Sequence, residues 1–308
     1  MKHLFLVNPA AGNGRAEKDL IPKIRQACID ADANFEIHLT ESADETVEYT
    51  MGQAESGAHI RLYACGGDGT LNNVLNGIVG HPNAELAFVP CGTGNDFSRN
   101  YENEPFFSDI GRQLEGQAAP IDAVRTGNTY AVNMINIGVD CDVVAETERL
   151  KKYPLLKGSL AYGAGVVKVL SKGKTYRMLL ELDDGTVVDE ELFLAGIANG
   201  SYCGGGFKSA PYASVSDGRI DLCVVRPIKG VKILKMLAGY RKGTHLDDPR
   251  FAPYIIYKKC KRLSIEAYEP MNVSVDGEIT TFERMTFEIV PDAVNFSVPK
   301  GARETNGK

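Results

Sequence analysis

Short apolar runs alternate with amphipathic stretches through the first third of the chain. His3–Val7 reads as an apolar strand, and the polar loop Asn8–Arg15 follows it. Ala16–Ala31 has helical spacing, with Leu20, Ile24, Ala27 and Cys28 on one face. Phe35–Leu39 is a second strand, and Thr40 or Ser42 can cap a helix that runs to Ser56. Ile60–Cys65 is a third strand, Leu71–Ile78 a helix and Glu85–Val89 a fourth strand. Strands separated by helices predict βαβ units and a mostly parallel sheet, whose ligands gather at the carboxyl ends of the strands. Every glycine-rich loop of this segment falls at such an end.

The texture changes after Ile121. Tyr130–Val139 reads as a strand, and Asp142–Leu170 holds helical stretches interrupted by Pro154 and Gly158. From Thr175 onward short strands dominate: Tyr176–Leu182, Leu192–Asn199, Ile220–Val225, Tyr254–Tyr257, Leu263–Ala267, Asn272–Val275, Phe287–Val290 and Phe296–Val298. Turns such as Asp183-Asp184-Gly185 separate them, which predicts an antiparallel sandwich or open barrel. One helical stretch, Val231–Tyr240, interrupts the series.

Composition narrows the classes. A chain of 308 residues is long for one core and suits two domains. The net charge of −6 argues against a nucleic-acid partner, which favours an overall basic surface. No stretch reaches the ~18 apolar residues of a membrane helix, and Leu4–Val7 is too short for a signal-peptide core. Seven cysteines lie scattered without a Cys-x-x-Cys pair, so reduced thiols and a cytoplasmic location are expected, with no zinc signature.

Three loops carry the candidate chemistry: Asn8-Pro9-Ala10-Ala11-Gly12-Asn13-Gly14, Gly66-Gly67-Asp68-Gly69-Thr70-Leu71-Asn72 and Pro90-Cys91-Gly92-Thr93-Gly94-Asn95-Asp96. Small residues let backbone amides approach an anion closely, and a helix start behind each loop adds free donors. Three such loops on one sheet edge point to a ligand with several phosphates. The P-loop string Gly-x-x-x-x-Gly-Lys-Ser/Thr is absent. The dinucleotide fingerprint fails as well, because Glu17 and Phe97 stand where its third small residue belongs.

These loops resemble the three motifs of the diacylglycerol kinase catalytic-domain family, which includes bacterial lipid kinases and the sphingosine and ceramide kinases. The resemblance continues through Gly204-Gly205-Gly206-Phe207, Pro211, Asp217-Gly218 and Val275-Asp276-Gly277-Glu278, in the expected order over nearly the whole chain. It implies an α/β fold: a three-layer ATP-binding domain with a mostly parallel sheet over 1–122, then a β-sandwich lipid-substrate domain over 123–294. The last strand and tail, 295–308, are free to return to the first domain.

The implied activity is transfer of the γ-phosphoryl of ATP, with Mg²⁺, to a lipid hydroxyl, diacylglycerol first among candidates. Asn8, Pro9, Ala10, Ala11, Gly12, Thr40, Gly66, Gly67, Asp68, Gly69, Thr70, Leu71, Asn72 and Thr93 would surround ATP. Asp68 would organise Mg²⁺ or the attacking hydroxyl, and Asp122 would join a carboxylate–water–metal network. Asp217, with the backbone carbonyls of Ser214 and Arg219, matches a second, structural metal site; an ordinary Asp-Gly turn is the competing reading. Asp276 resembles the family's proton acceptor, with Glu278 as the nearest alternative, and a plain hairpin turn needs neither.

Arg226–Lys242 contains six basic residues and no acid among apolar partners, and Lys258, Lys259, Lys261 and Arg262 add a second cluster. Both suit an anionic bilayer surface, so peripheral membrane association is expected. A solvated basic helix face is the plainer alternative, and a homodimer is compatible with either. Two other functions stay open: a kinase of a soluble hydroxyl compound such as NAD, and a catalytically silent nucleotide-binding regulator.

Overall fold

The computed structural model describes residues 1–92, 94–150, 165, 168, 169, 173–228 and 231–305. Strands β1 (Lys2–Val7), β2 (Phe35–Leu39), β3 (Ile60–Gly66) and β4 (Ala84–Pro90) lie parallel in the order β4-β3-β1-β2. Helices α1 (Ala16–Asp30), α2 (Ala43–Glu55) and α3 (Asp68–Ile78) connect them. Alternate strand residues serve two cores. Phe5, Val7, Tyr63 and Val89 meet Leu20, Ile24 and Cys28 of α1 on one face. Leu4, Leu6, Leu62 and Phe88 meet Leu71, Val74, Leu75 and Ile78 of α3 on the other. A strand buried on both faces reads as a continuous apolar run, as these do.

Local signals set the helix starts. The Ser42 hydroxyl oxygen accepts from the Glu45 amide at 3.1 Å, and acids at 44 and 45 fill the first turn of α2. Helix α3 begins at Asp68, three residues before the predicted start at Leu71, because Gly67 takes the cap position.

The remaining elements are β5 (Tyr101–Glu102), β6 (Gln117–Thr126), β7 (Thr129–Ala131), β8 (Met134–Gly138), α4 (Val139–Leu150), β9 (Tyr176–Leu182), β10 (Val187–Leu192), β11 (Leu194–Ala198), β12 (Ile220–Val225), α5 (Val231–Lys242), β13 (Ile255–Cys260), β14 (Arg262–Val275), β15 (Glu278–Val298) and β16 (Arg303–Glu304), which pairs with β5. Among the described residues, 14 strands form one continuous sheet. Its long members β14 and β15 carry it from layer to layer. Leu263–Ala267 of β14 pair with β9, the register then shifts, and Val273–Val275 pair with β8. The β-rich half closes around Ile135, Leu180, Ile197, Leu222, Ile265 and Phe287. Asn295 and Phe296 of β15 run parallel to Glu85 and Leu86 of β4, so the last long strand joins the first sheet.

Two pairs of strands predicted separately, 263–267 with 272–275 and 287–290 with 296–298, are therefore each one strand. The strand Gln117–Thr126 was not anticipated; its first four residues are exposed, which hides any alternation. Leu192–Asn199 divides at Phe193 into β10 and β11. Of the stretch predicted helical over 142–170, the part after Leu150 lies almost entirely outside the described residues.

Candidate active site

The three glycine-rich loops meet at the carboxyl ends of β1, β3 and β4. Asn8 braces the first two: its Oδ1 accepts from the Ala10 amide at 3.0 Å and its Nδ2 donates to Thr70 Oγ1 at 3.2 Å. Gly12 and Gly14 have φ of 59° and 76°, the left-handed conformation a tight anion-wrapping turn requires. The Gly66 carbonyl accepts from the amides of Cys91 and Gly92, which pulls the third loop onto the second. The approach is so close that a Cβ on Gly92 would stand 2.5 Å from Gly67 Cα.

Asp68 opens α3 and is half-buried; its Oδ1 accepts from the Phe97 amide at 3.1 Å. Loss of water raises its pKa above the ordinary carboxylate value, and surrounding backbone donors oppose that rise. Thr40 is buried at the end of β2, with its amide on the Val7 carbonyl. Leu71 is fully buried in the core, so its side chain does not face the loops' ligand space. Thr93 lies outside the described residues.

Asp96 closes the third glycine-rich motif, and nothing in its local sequence marks its partner. It is buried, and its two oxygens accept from the amides of Gly205 and Gly206 at 2.8 and 2.7 Å. Gly204, Gly205 and Gly206 all have positive φ, so this turn presents consecutive amides to one carboxylate. Burial and the neighbouring Asp68 push the Asp96 carboxyl up to about 6. The contact locks the β-rich half onto the glycine-rich loops.

Asp276 makes a second lock. It has φ of 44°, is buried, and accepts four hydrogen bonds. Oδ2 receives Asn72 Nδ2 at 2.9 Å and the Val132 amide at 2.8 Å; Oδ1 receives the amides of Asn133 at 3.2 Å and Met134 at 2.8 Å. A carboxylate has about four lone-pair positions, and here all are occupied. These bonds hold the turn in place, and burial pushes the Asp276 carboxyl up to about 6. Glu278, beyond Gly277 on the same turn, is exposed.

Asp122 is likewise engaged. Its oxygens accept from the amides of Gly218 at 2.7 Å and Asp292 at 3.0 Å, which ties it to the Asp217–Gly218 turn rather than to the loops around Asp68. Desolvation raises its pKa.

At the turn itself, Asp217 Oδ1 accepts from the Arg219 amide at 3.0 Å, and Oδ2 lies 2.6 Å from Lys259 Nζ. The same ammonium donates to the Tyr212 carbonyl at 3.1 Å and lies 3.3 Å from Asp221 Oδ2. Ser214 turns its hydroxyl to Glu304. An ammonium therefore fills the cation position between these oxygens. No group of three or more metal-ligating side chains occurs among the described residues.

EDTA should leave the melting temperature of the nucleotide-free protein unchanged. Lys259→Met should lower stability by about 1–2 kcal/mol, less than for a fully buried pair because Lys259 is partly exposed. An EDTA-induced drop in melting temperature that Mg²⁺ reverses would place a divalent ion at this turn instead.

Several residues expected to meet a bilayer are paired within the protein. Arg226 forms a two-pronged pair with Glu190 at 2.7 and 2.9 Å, Lys232 donates to the Tyr254 hydroxyl at 3.1 Å, and Lys258 lies 3.5 Å from Asp184. Lys229 lies outside the described residues.

Beside the Gly204–Gly206 turn a cavity of about 90 Å³ opens between α4, α5 and the sheet. Val139, Val143, Phe193, Ile228, Met236 and Leu237 make it mainly apolar. Gly204 and Ser274 line it too, so its wall touches both locks: Gly205 bonds Asp96, and Asp276 is two residues beyond Ser274.

Sequence profiles place this arrangement in a class of two-part kinases. Residues 2–126 match the diacylglycerol kinase catalytic domain, and residues 133–298 match the YegS C-terminal NAD kinase beta sandwich-like domain. The chain belongs to the lipid kinase family in which these two domains follow one another. A diacylglycerol kinase of Staphylococcus saprophyticus is 29% identical over 89% of this chain and 88% of its own. One from Staphylococcus carnosus is 27% identical over 98% and 96%. In fold, a crystal structure of a candidate diacylglycerol kinase from Bacillus anthracis str. Sterne matches with a TM-score of 0.75 over 97% of both chains at 24% identity.

Proposed function

We propose that the chain transfers the γ-phosphoryl of ATP to the hydroxyl of a lipid at a membrane surface, diacylglycerol being the acceptor that the relatives' names indicate. The observation that carries this reading is the apolar cavity against the Gly204–Gly206 turn, which Asp96 holds to the three glycine-rich loops. A kinase of a soluble polar compound has no use for such a chamber, whereas an acyl chain gains about 0.8 kcal/mol per buried methylene.

In this reading the amides of loops 8–12 and 66–69, with the start of α3, hold the phosphates. Mg²⁺ bound with ATP would offset phosphate charge, and half-buried Asp68 is the carboxylate placed to face it. The lipid oxygen attacks the γ-phosphorus as the bond to ADP breaks, and the hydroxyl proton passes to Glu278. Asp276 and Asp96 act as positioning residues: each fixes a turn of the β-rich half against the first. No helix among the described residues is long and apolar enough to cross a membrane, so the lipid is taken up from the surface.

The test pairs calorimetry with Mg·ATP and a radiolabelled phosphorylation assay on lipid micelles, NAD and sugars. Gly92→Ala should weaken Mg·ATP binding at least tenfold, since the new Cβ forces the second and third loops apart. Unchanged ATP affinity in a folded variant would move the nucleotide elsewhere. Phosphorylation of NAD but of no lipid would replace the lipid reading with the soluble-substrate one.

A further inference from the structure

One wall of the apolar cavity is polar and lacks partners. Asp140, in the first turn of α4, lines the cavity with its Oδ2 buried and without a hydrogen-bond partner among the described residues. Asn136 Oδ1 on β8 is in the same state, and Asn136 stands opposite Ser274 in the sheet. The hydroxyl of Tyr240, from α5, is also buried and unpartnered. Burial alone pushes the Asp140 carboxyl up to about 6, with no cation offsetting it. A carboxylate left unpaired in an apolar chamber is costly, and its partner is absent from the described chain.

A ligand can supply that partner. Two acceptors on one wall call for donors, and the Tyr240 hydroxyl, with one proton to donate, can serve only one of them. A diacylglycerol has a single hydroxyl, the one that reacts, and its ester carbonyls only accept. A lipid with a second hydroxyl or an N–H supplies what the wall lacks.

Resting on the lipid-kinase reading, we propose that Asp140, with Asn136 beside it, determines substrate specificity by accepting a hydrogen bond from a second, non-reacting donor on the lipid. The favoured acceptor is then a singly acylated polyol, in place of the diacylglycerol that the relatives' names indicate. Sites built to bond a hydroxyl discriminate strongly against analogues that lack it, because their own polar groups are left unpaired. The cavity positions the chain, and Asp140 selects the head.

The experiment compares 1-monooleoylglycerol with the glycol ester 1,3-propanediol monooleate, the same ester with its 2-hydroxyl replaced by hydrogen, in detergent micelles at pH 8. The wild type should favour monooleoylglycerol in kcat/KM by at least about tenfold, and Asp140→Leu should reduce that ratio to near unity. The ratio cancels any general loss of activity. Asp140→Asn keeps a carbonyl acceptor and cannot ionise. It should retain part of the preference and remove its growth with pH between about 5 and 8.

Melting without ATP gives an independent arm. Monooleoylglycerol should raise the wild-type melting temperature more than the glycol ester does, and equally little in Asp140→Leu. The carboxyl is raised in the folded state, so stability is lost as pH climbs from the ordinary carboxylate value through the raised one; Asp140→Leu should gain on the wild type from about pH 4 to about pH 6. A preference that survives Asp140→Leu, or a wild type blind to the second hydroxyl, overturns the assignment. If the wild type phosphorylates neither lipid, the kinase reading falls, while the melting arm still decides whether Asp140 reads the head group.

Discussion

Glu278→Gln should lower lipid phosphorylation by the ~10²–10⁴ typical of losing a general base, with Mg·ATP affinity and melting temperature close to the wild type. Glu278 is exposed on its turn, so its substitution leaves no buried group unpaired. Asp276→Asn should behave differently. An amide nitrogen at either oxygen position faces two donors: the Asn72 amide with the Val132 N–H, or the N–H groups of Asn133 and Met134. Each unsatisfied donor costs about 1–3 kcal/mol, so this variant should melt early and lose activity in proportion to misplacement of the turn.

Turnover and thermal denaturation measured on both variants separate the roles. Full activity in Glu278→Gln would return the proton-accepting task to another group, with Asp68 next in line. A stable, correctly folded but inactive Asp276→Asn would show that Asp276 acts on substrate after all.

Arg61→Met should be the most destabilising single change outside the loops, at about 3–5 kcal/mol in urea unfolding, the cost of breaking a buried ion pair. Arg61 is 4% exposed, and its Nε donates to Glu85 Oε2 at 2.7 Å. Its other nitrogens reach the carbonyls of Gln113 and Gly116, both at 3.0 Å. One guanidinium therefore joins β3, β4 and the short helix Ile110–Leu114. Removing it strands Glu85, which retains only the exposed His59 at 3.1 Å.

Arg61→Met with Glu85→Leu should recover much of the loss, because an apolar pair of similar volume replaces the ions without leaving a charge behind. A single-variant loss below about 1 kcal/mol, the range of an exposed pair, would mean that water already screens this cluster. Neither residue carries a sequence signal: Arg61 sits in a run that reads simply as apolar strand.

The three glycine-rich loops were legible in the sequence because the parts of each are contiguous. A strand and a glycine-rich loop occur in one short stretch, three times over; an α-helix follows the first two loops, whereas the helix expected behind the third is only the four-residue 3₁₀ turn Phe97–Asn100. The alternating parallel half followed from the same local rules, down to Ser42 at its helix cap. The β-rich half was legible as strands, though not as two long strands shared between layers. Their exposed stretches, such as Glu278–Thr281, break the apolar alternation that marks a strand.

What only the tertiary structure decided was the surroundings of each acid. Asp276 and Glu278 sit in one motif and are chemically alike; burial and four donors, one of them on Asn72 at a separation of 204 residues, surround the first, whereas the second is exposed. Asp96 reached its partner Gly205 across 109 residues. Asp217, read as a metal ligand, met Lys259, which its sequence neighbourhood had suggested for a bilayer. Asp140 gave no signal at all, since an acid in the first turn of a helix is ordinary; it became notable when the fold buried it on an apolar wall without a partner. A carboxylate's role follows from its solvent and its donors, and both are supplied by segments far away in the chain.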